Sequence, residues 1–153
     1  NLSMYKKFSA TGDQTIVAPT DTAITIQSAT TIRPAIAEFS ASMDAPADNQ
    51  ILVTVQLFDT DDGTGTAVTP KPLIDGFPAA LGVIQDNHTV EPSSYLSGEI
   101  WYAQYFNARA TLRWVAVPGF EWVLPAVATE GAGWLPSHAS NTDDINVTVY
   151  WSE

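Results

Sequence analysis

The chain of 153 residues contains no cysteine, which excludes disulfides, thiolate metal ligands and cysteine nucleophiles. Its 6 basic and 17 acidic side chains give a formal net charge of -11, which opposes contact with phosphate backbones, so we expect no nucleic-acid partner. No apolar run approaches the roughly 18 residues of a membrane helix, and the first residues lack the apolar core of a signal peptide, so we also expect no membrane partner.

Proline and glycine divide the chain into short segments rich in β-branched and aromatic residues, and none of them has the caps and length of a helix. We expect residues 1–29 to form an N-terminal arm with the first strands and residues 30–153 to form a β-sandwich, within one compact domain. The predicted fold is all-β, a jelly-roll-like sandwich of two antiparallel sheets with long loops. The predicted strands are 4–9, 14–18, 23–27, 32–42, 50–58, 80–86, 98–108, 111–117, 121–124 and 145–151.

Two of these segments alternate clearly between apolar and polar positions, as strands with one buried face do. In the fifth strand the residues of the predicted buried face are Ile51, Val53, Val55 and Leu57. In the last strand they are Ile145, Val147, Val149 and Trp151. The alternation in the last strand predicts that it is integrated in a sheet.

The loop 59–73 (DTDDGTGTAVTPKPL) follows the fifth strand and is long for a compact domain. Its Thr69-Pro70-Lys71-Pro72 end is expected to stay outside any regular ladder, because proline has no backbone donor. We interpret the loop as a semi-rigid docking arm. Partner contacts are predicted for these four residues and for Lys6 and Lys7 in the N-terminal arm.

Catalytic and metal-binding patterns are absent from the sequence. The acidic start of the loop, Asp59 to Gly63, fails the spacing of a calcium loop, because glycine stands at the fifth position where an oxygen ligand is needed. His88 and His138 have no partner at zinc spacing, and both are interpreted as surface-loop residues. No Gly-x-Ser-x-Gly motif occurs, although a triad or a carboxylate pair assembled by the fold stays open at this point. We predict a non-enzymatic protein without metal or cofactor.

Four of the five tryptophans fall into two groups. Trp101, Trp114 and Trp151 lie in strand patterns, where packing is the expected role. Trp134 stands between two glycines and a proline, and we interpret it as an exposed anchor for a glycan or a partner protein.

The order of these segments resembles that of small β-sandwich virion proteins of tailed bacteriophages, and through them jelly-roll capsid cement or decoration proteins. The resemblance covers roughly residues 30–153 and is carried by the Ala67-to-Leu73 loop end, Trp101, Trp114, Pro118-Gly119 and the final strand from Ile145 to Glu153. It implies a structural protein on the outer capsid surface of the virion. It also implies self-association as a homotrimer and the major capsid protein of the shell as partner.

The alternative is a carbohydrate-binding or host-attachment module of a virion, acting through Trp134 and the loops. An enzyme of the sandwich class is the third possibility, and no acid/base pair or metal site can be named for it.

Overall fold

The computed structural model describes residues 6–16, 22–44, 47–60, 63–137 and 143–153, and these residues form strands, turns and loops without a helix. Strand formation follows from the β-branched and aromatic content of the segments. The strands are β1 (Lys7–Thr15), β2 (Ile24–Gln27), β3 (Ala35–Asp44), β4 (Gln50–Phe58), β5 (Thr64–Val68), β6 (Lys71–Pro72), β7 (Val83–Val90), β8 (Tyr95–Asn107), β9 (Leu112–Val115), β10 (Trp122–Val123), β11 (Gly131–Ser137) and β12 (Asp144–Ser152).

The strands form two antiparallel sheets packed face to face. Sheet A has the order β10-β3-β12-β1-β6, with β9 beside β10 along the same edge of β3, and sheet B has the order β5-β7-β2-β11-β4-β8. With the inserted strands β5 to β7 left aside and β9 and β10 taken together, the chain crosses to the other sheet at every connection except the one from β4 to β8, which are neighbours in sheet B. It builds β1-β12-β3-β9/β10 facing β2-β11-β4-β8, which is the arrangement of an eight-stranded jelly roll. The predicted fold class is confirmed.

The core lies between the sheets and consists of inward-facing side chains from both. The predicted alternation is confirmed: Ile51, Val53 and Val55 are buried and Leu57 packs against them. The last strand also follows the prediction, and its buried members are Ile145, Val147, Val149 and Trp151. It pairs with β1 on one side and β3 on the other, as its regular pattern indicated.

The first described residues form a strand, β1, within the sandwich. A single strand, β1, replaces the two strands predicted around residues 4–18, because Gly12 is a ladder residue and not a turn. A side chain at Gly12 would meet Asp86 of β7, since its Cβ would lie 2.7 Å from the Asp86 Cβ. The absence of a side chain at Gly12 therefore allows β1 and β7 to approach closely. Lys7 therefore belongs to sheet A and not to a free arm.

The predicted docking arm 59–73 is an insertion between β4 and β8 that extends both sheets. β5 pairs with β7 in sheet B, and β6 pairs with β1 in sheet A, so the prediction that the Thr-Pro-Lys-Pro end stays outside a ladder is wrong. Proline is tolerated because β6 is an edge strand of two residues. The next residue closes the ladder, since the Leu73 N–H donates to the Lys7 carbonyl at 2.9 Å.

Candidate protein-docking surface

The outer face of sheet A is divided into a polar half and an apolar half. Solvent-facing positions of a sandwich strand are usually polar, and one half follows this rule with Thr11, Ser40, Ser42, Arg113 and Thr148. The other half carries small and apolar side chains. We call this half the apolar patch, and it consists of Ala35, Ala37, Leu73, Val115, Val123 and Tyr150.

A groove of about 600 Å³ runs through the apolar patch. Its floor contains Ala35 and Ala37, and a bulge explains its position: β3 advances two residues against one of β12 between the pairs Glu38↔Tyr150 and Ile36↔Trp151. The extra residue, Ala37, turns outward, and Phe39 returns to the core. Because the outward residues are alanines with small side chains, the sheet surface forms a depression here, beside the larger side chain of Tyr150.

Exposed apolar side chains continue the patch beyond the groove. Leu73 and Val115 line the groove and are half exposed, and Val117 and Phe120 follow in the turn after β9. Phe120 is 74% exposed, although its backbone is fixed by a hydrogen bond from its N–H to the Val117 carbonyl. Contiguous apolar surface of this kind marks a contact with another molecule.

The structure places two of the predicted partner-binding lysines on the same face of sheet A, and one of them, Lys7, lines the groove. Lys71 lies opposite Ser9 in the β1–β6 ladder, so it shares the outer face of sheet A with Lys7, two ladder positions away. The ion pairs within the described residues are Arg109–Asp48 at 3.8 Å and Arg113–Glu38 at 2.6 Å, so neither lysine has an acidic partner there. Both side chains are exposed and available to a partner.

The other predicted contact residues take different positions. Lys6 is half buried, and its carbonyl accepts from the Glu153 N–H at 2.9 Å. Thr69 and Pro70 link β5 to β6 and thus connect the edges of the two sheets. Pro72 lies opposite Phe8, a core residue, and is half buried.

Carboxylates line another side of the groove. Glu38 accepts a hydrogen bond from Arg113 Nε at 2.6 Å, and this contact raises the pKa of the guanidinium. Glu121 accepts from the Gly119 N–H at 3.1 Å, in a turn where Gly119 has a φ of 90° that favours glycine. The groove is therefore lined by Lys7 on the side of β1 and, on the side of β3 and β10, by Glu121 and by Glu38 in its ion pair with Arg113.

Trp134 is a correction to the sequence analysis, because it is fully buried in the core. It lies on β11, an internal strand, between Ile24 of β2 and Val55 of β4. The flanking glycines are not loop residues: a methyl group at Gly133 would overlap the Tyr95 hydroxyl, and one at Gly131 would overlap the Phe58 ring. Glycine in β11 makes room for these rings on the outer face of sheet B.

Three other tryptophans form a stack at the side of the sandwich where β8 faces β9 and β10. The rings of Trp114 and Trp122 are 3.8 Å apart at 15°, and Trp101 lies 5.6 Å from Trp122 at 24°. All three are half buried and pack against the core. Packing was the predicted role of Trp101 and Trp114.

The buried titratable groups lie away from the groove, on β7. His88 is buried in a strand, not in a surface loop as predicted, because its ring faces the interior and Nδ1 lies 3.2 Å from the Thr22 carbonyl. Burial raises the pKa of Asp86, which accepts from the Asp13 N–H at 3.1 Å, and the Asp13 carboxylate adds to the rise. No group of three or more His, Asp or Glu side chains in the described ranges could hold a metal ion. His138 and the Asp61-Asp62 pair lie outside those ranges.

Comparison with known proteins gives no match: no family model, curated protein or solved structure is similar to the chain. The described part of the chain has no helix with the length and apolar content needed to cross a bilayer. The apolar patch had no clear sequence signal, because its residues come from five strands and segments that are separate in the chain. The bulge at Ala37, which interrupts the alternation of β3, is visible only in the pairing.

Proposed function

We propose that the chain is a non-enzymatic structural protein of a tailed-phage virion, a cement protein that binds the outer surface of the capsid and stabilises it. The observation that carries the proposal is the apolar patch with its groove, together with the exposed Phe120 and two lysines that have no acidic partner among the described residues. This surface suits a protein partner, because apolar area supplies the binding energy while charges beside the groove orient the contact.

The fold and the charge support the same proposal. Double-sheet jelly rolls recur in viral capsid and lectin domains, although a fold alone does not assign a function. The partner we propose is the major capsid protein. An acidic protein that exposes Lys7 and Lys71 beside an apolar groove is suited to a shell surface with acidic side chains around an apolar contact.

The proposed action is stabilisation by mass action. A protein that binds the assembled shell and not the free shell subunit shifts the equilibrium toward the shell, with a free energy that grows with its concentration. No chemistry is required of the bound protein.

Co-sedimentation with shells that lack the protein tests the proposal. Ala37→Glu places a charged side chain on the floor of the groove and is expected to abolish co-sedimentation and the gain in shell melting temperature. The matched control is Ser40→Glu, which makes a similar change in charge on the polar half of the same strand, opposite Arg113. The proposal is wrong if wild-type protein ignores shells, or if both variants bind as wild type does.

Because Trp134 is buried, it cannot serve the carbohydrate-binding alternative. One observation still supports that alternative, the half-buried stack of Trp101, Trp122 and Trp114. An aromatic ring at the end of such a stack can contact the apolar face of a sugar. Binding to a glycan array that is lost in Trp101→Ala, in a variant that remains folded by circular dichroism, would favour this function over the capsid role.

A further inference from the structure

The outermost strand of sheet B, β8, has a free edge. β8 is 13 residues long and pairs with β4 on one side, and within the described ranges no strand pairs with its other side. An exposed row of backbone donors and acceptors is a template for a strand from another molecule.

The backbone groups that face outward can be assigned from the ladder. The Ala108 N–H donates to the Asn49 carbonyl at 2.7 Å, which places residue 108 in the hydrogen-bonded set toward β4. Because hydrogen-bonded and non-hydrogen-bonded pairs alternate in an antiparallel ladder, residues 106, 104 and 102 belong to the same set. The N–H and carbonyl groups of Ala103 and Tyr105 therefore point away from the sheet.

The second half of this edge lacks the protections that natural edge strands carry. Residues 100–108 (IWYAQYFNA) contain no charged residue and no proline, in a chain whose net charge is -11. Irregular pairing is confined to the first half of β8, at residues 95–102, and the second half pairs regularly with β4. Tyr105 is 63% exposed on this regular part.

We propose that a second copy of this chain pairs with β8, antiparallel and across a two-fold axis at Gln104, so that sheet B continues from one copy into the next. A second copy is the occupant because the segment is complementary to itself. Ala103 of each copy then lies opposite Tyr105 of the other, and these pairs exchange about four backbone hydrogen bonds.

Charges at the ends of the segment favour the same arrangement. Glu99 and Arg109 lie five positions on either side of Gln104, so the antiparallel contact brings Glu99 of one copy near Arg109 of the other, twice. A shell protein would supply no such symmetry. The uncharged centre also lets two acidic molecules approach without a like-charge contact at the strand itself.

The remaining sheet edges are less suited to pairing. β5 has five residues and a register shift against β7, β9 and β10 have four and two residues, and β6 has two. β8 is the longest edge strand of the described structure, and the contact is separate from the apolar patch on sheet A.

Sedimentation equilibrium of the purified chain tests the proposal with Ala103→Pro. Proline removes the outward N–H of residue 103 and no hydrogen bond to β4, so the melting temperature should change little while dimer affinity falls at least about tenfold. Ala103→Val, which keeps the N–H, is the matched control and should dimerise as wild type. The melting temperature of Gln104→Pro should drop sharply, because that N–H faces β4; an equal drop in Ala103→Pro would overturn the assigned alternation.

Charge reversal provides a second measurement. Glu99→Arg and Arg109→Glu should each weaken the dimer, and the double variant should restore it, because each contact joins one residue to the other across the axis. The proposal fails if the wild type is monomeric, if it forms the trimer implied by the resemblance, or if Ala103→Pro leaves the dimer intact. Ala37→Glu should leave the dimer unchanged, so this result and the capsid-binding result are independent.

Discussion

Asp86 shows how one buried carboxyl is held where the edges of the two sheets approach each other. β1 passes close to β7 at Gly12, and the Asp86 carboxylate accepts from the Asp13 N–H there. Burial raises its pKa above the usual value, and the neighbouring Asp13 raises it further. The folded protein therefore prefers the protonated form more than the unfolded chain does, and ionisation of Asp86 costs folding free energy.

The first prediction concerns the pH dependence of this group. The cost is absent below the pKa of the unfolded chain, develops as the pH rises through the interval up to the raised folded pKa, and is full above it. Asp86→Asn, whose amide oxygen can still accept from Asp13, should therefore melt at a higher temperature than wild type at neutral pH. The two proteins should converge in acid. A thermal titration checks this, with the exposed Asp75→Asn as control; equal curves for Asp86→Asn and wild type at every pH would contradict it.

The second prediction concerns the packing of Tyr95 against Gly133. A methyl group at Gly133 would overlap the Tyr95 hydroxyl, so Gly133→Ala should destabilise the fold by about 1–3 kcal/mol through overpacking. Chemical denaturation of a double-mutant cycle with Tyr95→Ala measures the coupling. The penalty at Gly133 should shrink in the Tyr95→Ala background, and an undiminished penalty would place its cause elsewhere.

At the scale of elements, regular alternation was sufficient to predict β4 and β12, because one face of each meets the core along its whole length. β11 was missed for a physical reason. Its glycines and proline are typical of a loop, and tertiary contacts explain the glycines as strand residues: Gly133 packs against Tyr95, and Gly131 against the Ile26 carbonyl and the Phe58 ring. β6 was missed because proline argues against a strand unless the strand lies at a sheet edge. Pro72 does lie at an edge, but this position is determined by the tertiary fold and cannot be read from the sequence.

The position of β11 leads to the third prediction. Trp134 fills the core between Ile24 and Val55, so Trp134→Ala should lower the free energy of unfolding by about 3–5 kcal/mol. Phe120→Ala, which truncates a similarly large but exposed ring, should change it by no more than about 0.5 kcal/mol. Urea denaturation of both variants checks the contrast, and a silent Trp134→Ala would mean that β11 does not carry the core as described.

Glu153, the residue after β12, holds the connection between β6 and β7 in place. The Glu153 carboxylate accepts from the N–H groups of Leu81 and Gly82, both at 2.9 Å, and from Trp151 Nε1 at 3.2 Å. Hydrogen bonds to a charged group contribute about 1.5–3 kcal/mol. Glu153→Ala should therefore accelerate amide hydrogen exchange at residues 81 and 82 and lower the melting temperature, whereas Asp75→Ala, in the exposed turn before them, should leave exchange at residues 81 and 82 unchanged.

At the scale of the whole molecule, the net charge of -11 influences the affinity between two copies. Long-range repulsion opposes association at low ionic strength, while the proposed β8 contact is built mainly from backbone hydrogen bonds and uncharged side chains. Its two rim pairs, Glu99 with Arg109, are exposed, so each contributes less than the backbone contact, although reversing one of the charges would replace attraction by repulsion. The sign of the salt dependence therefore distinguishes this contact from one made by salt bridges.

The last prediction follows from that balance. Between about 0.01 M and about 0.15 M ionic strength the Debye length falls from roughly 30 Å to roughly 8 Å, so repulsion between two acidic molecules is largely removed while hydrogen bonds at the strand are unaffected. Dimer affinity should rise over this range in wild type and in Ala103→Val. Sedimentation equilibrium at the two ionic strengths measures it. Weaker association at the higher salt would mean that ion pairs, and not the uncharged centre of β8, hold the copies together.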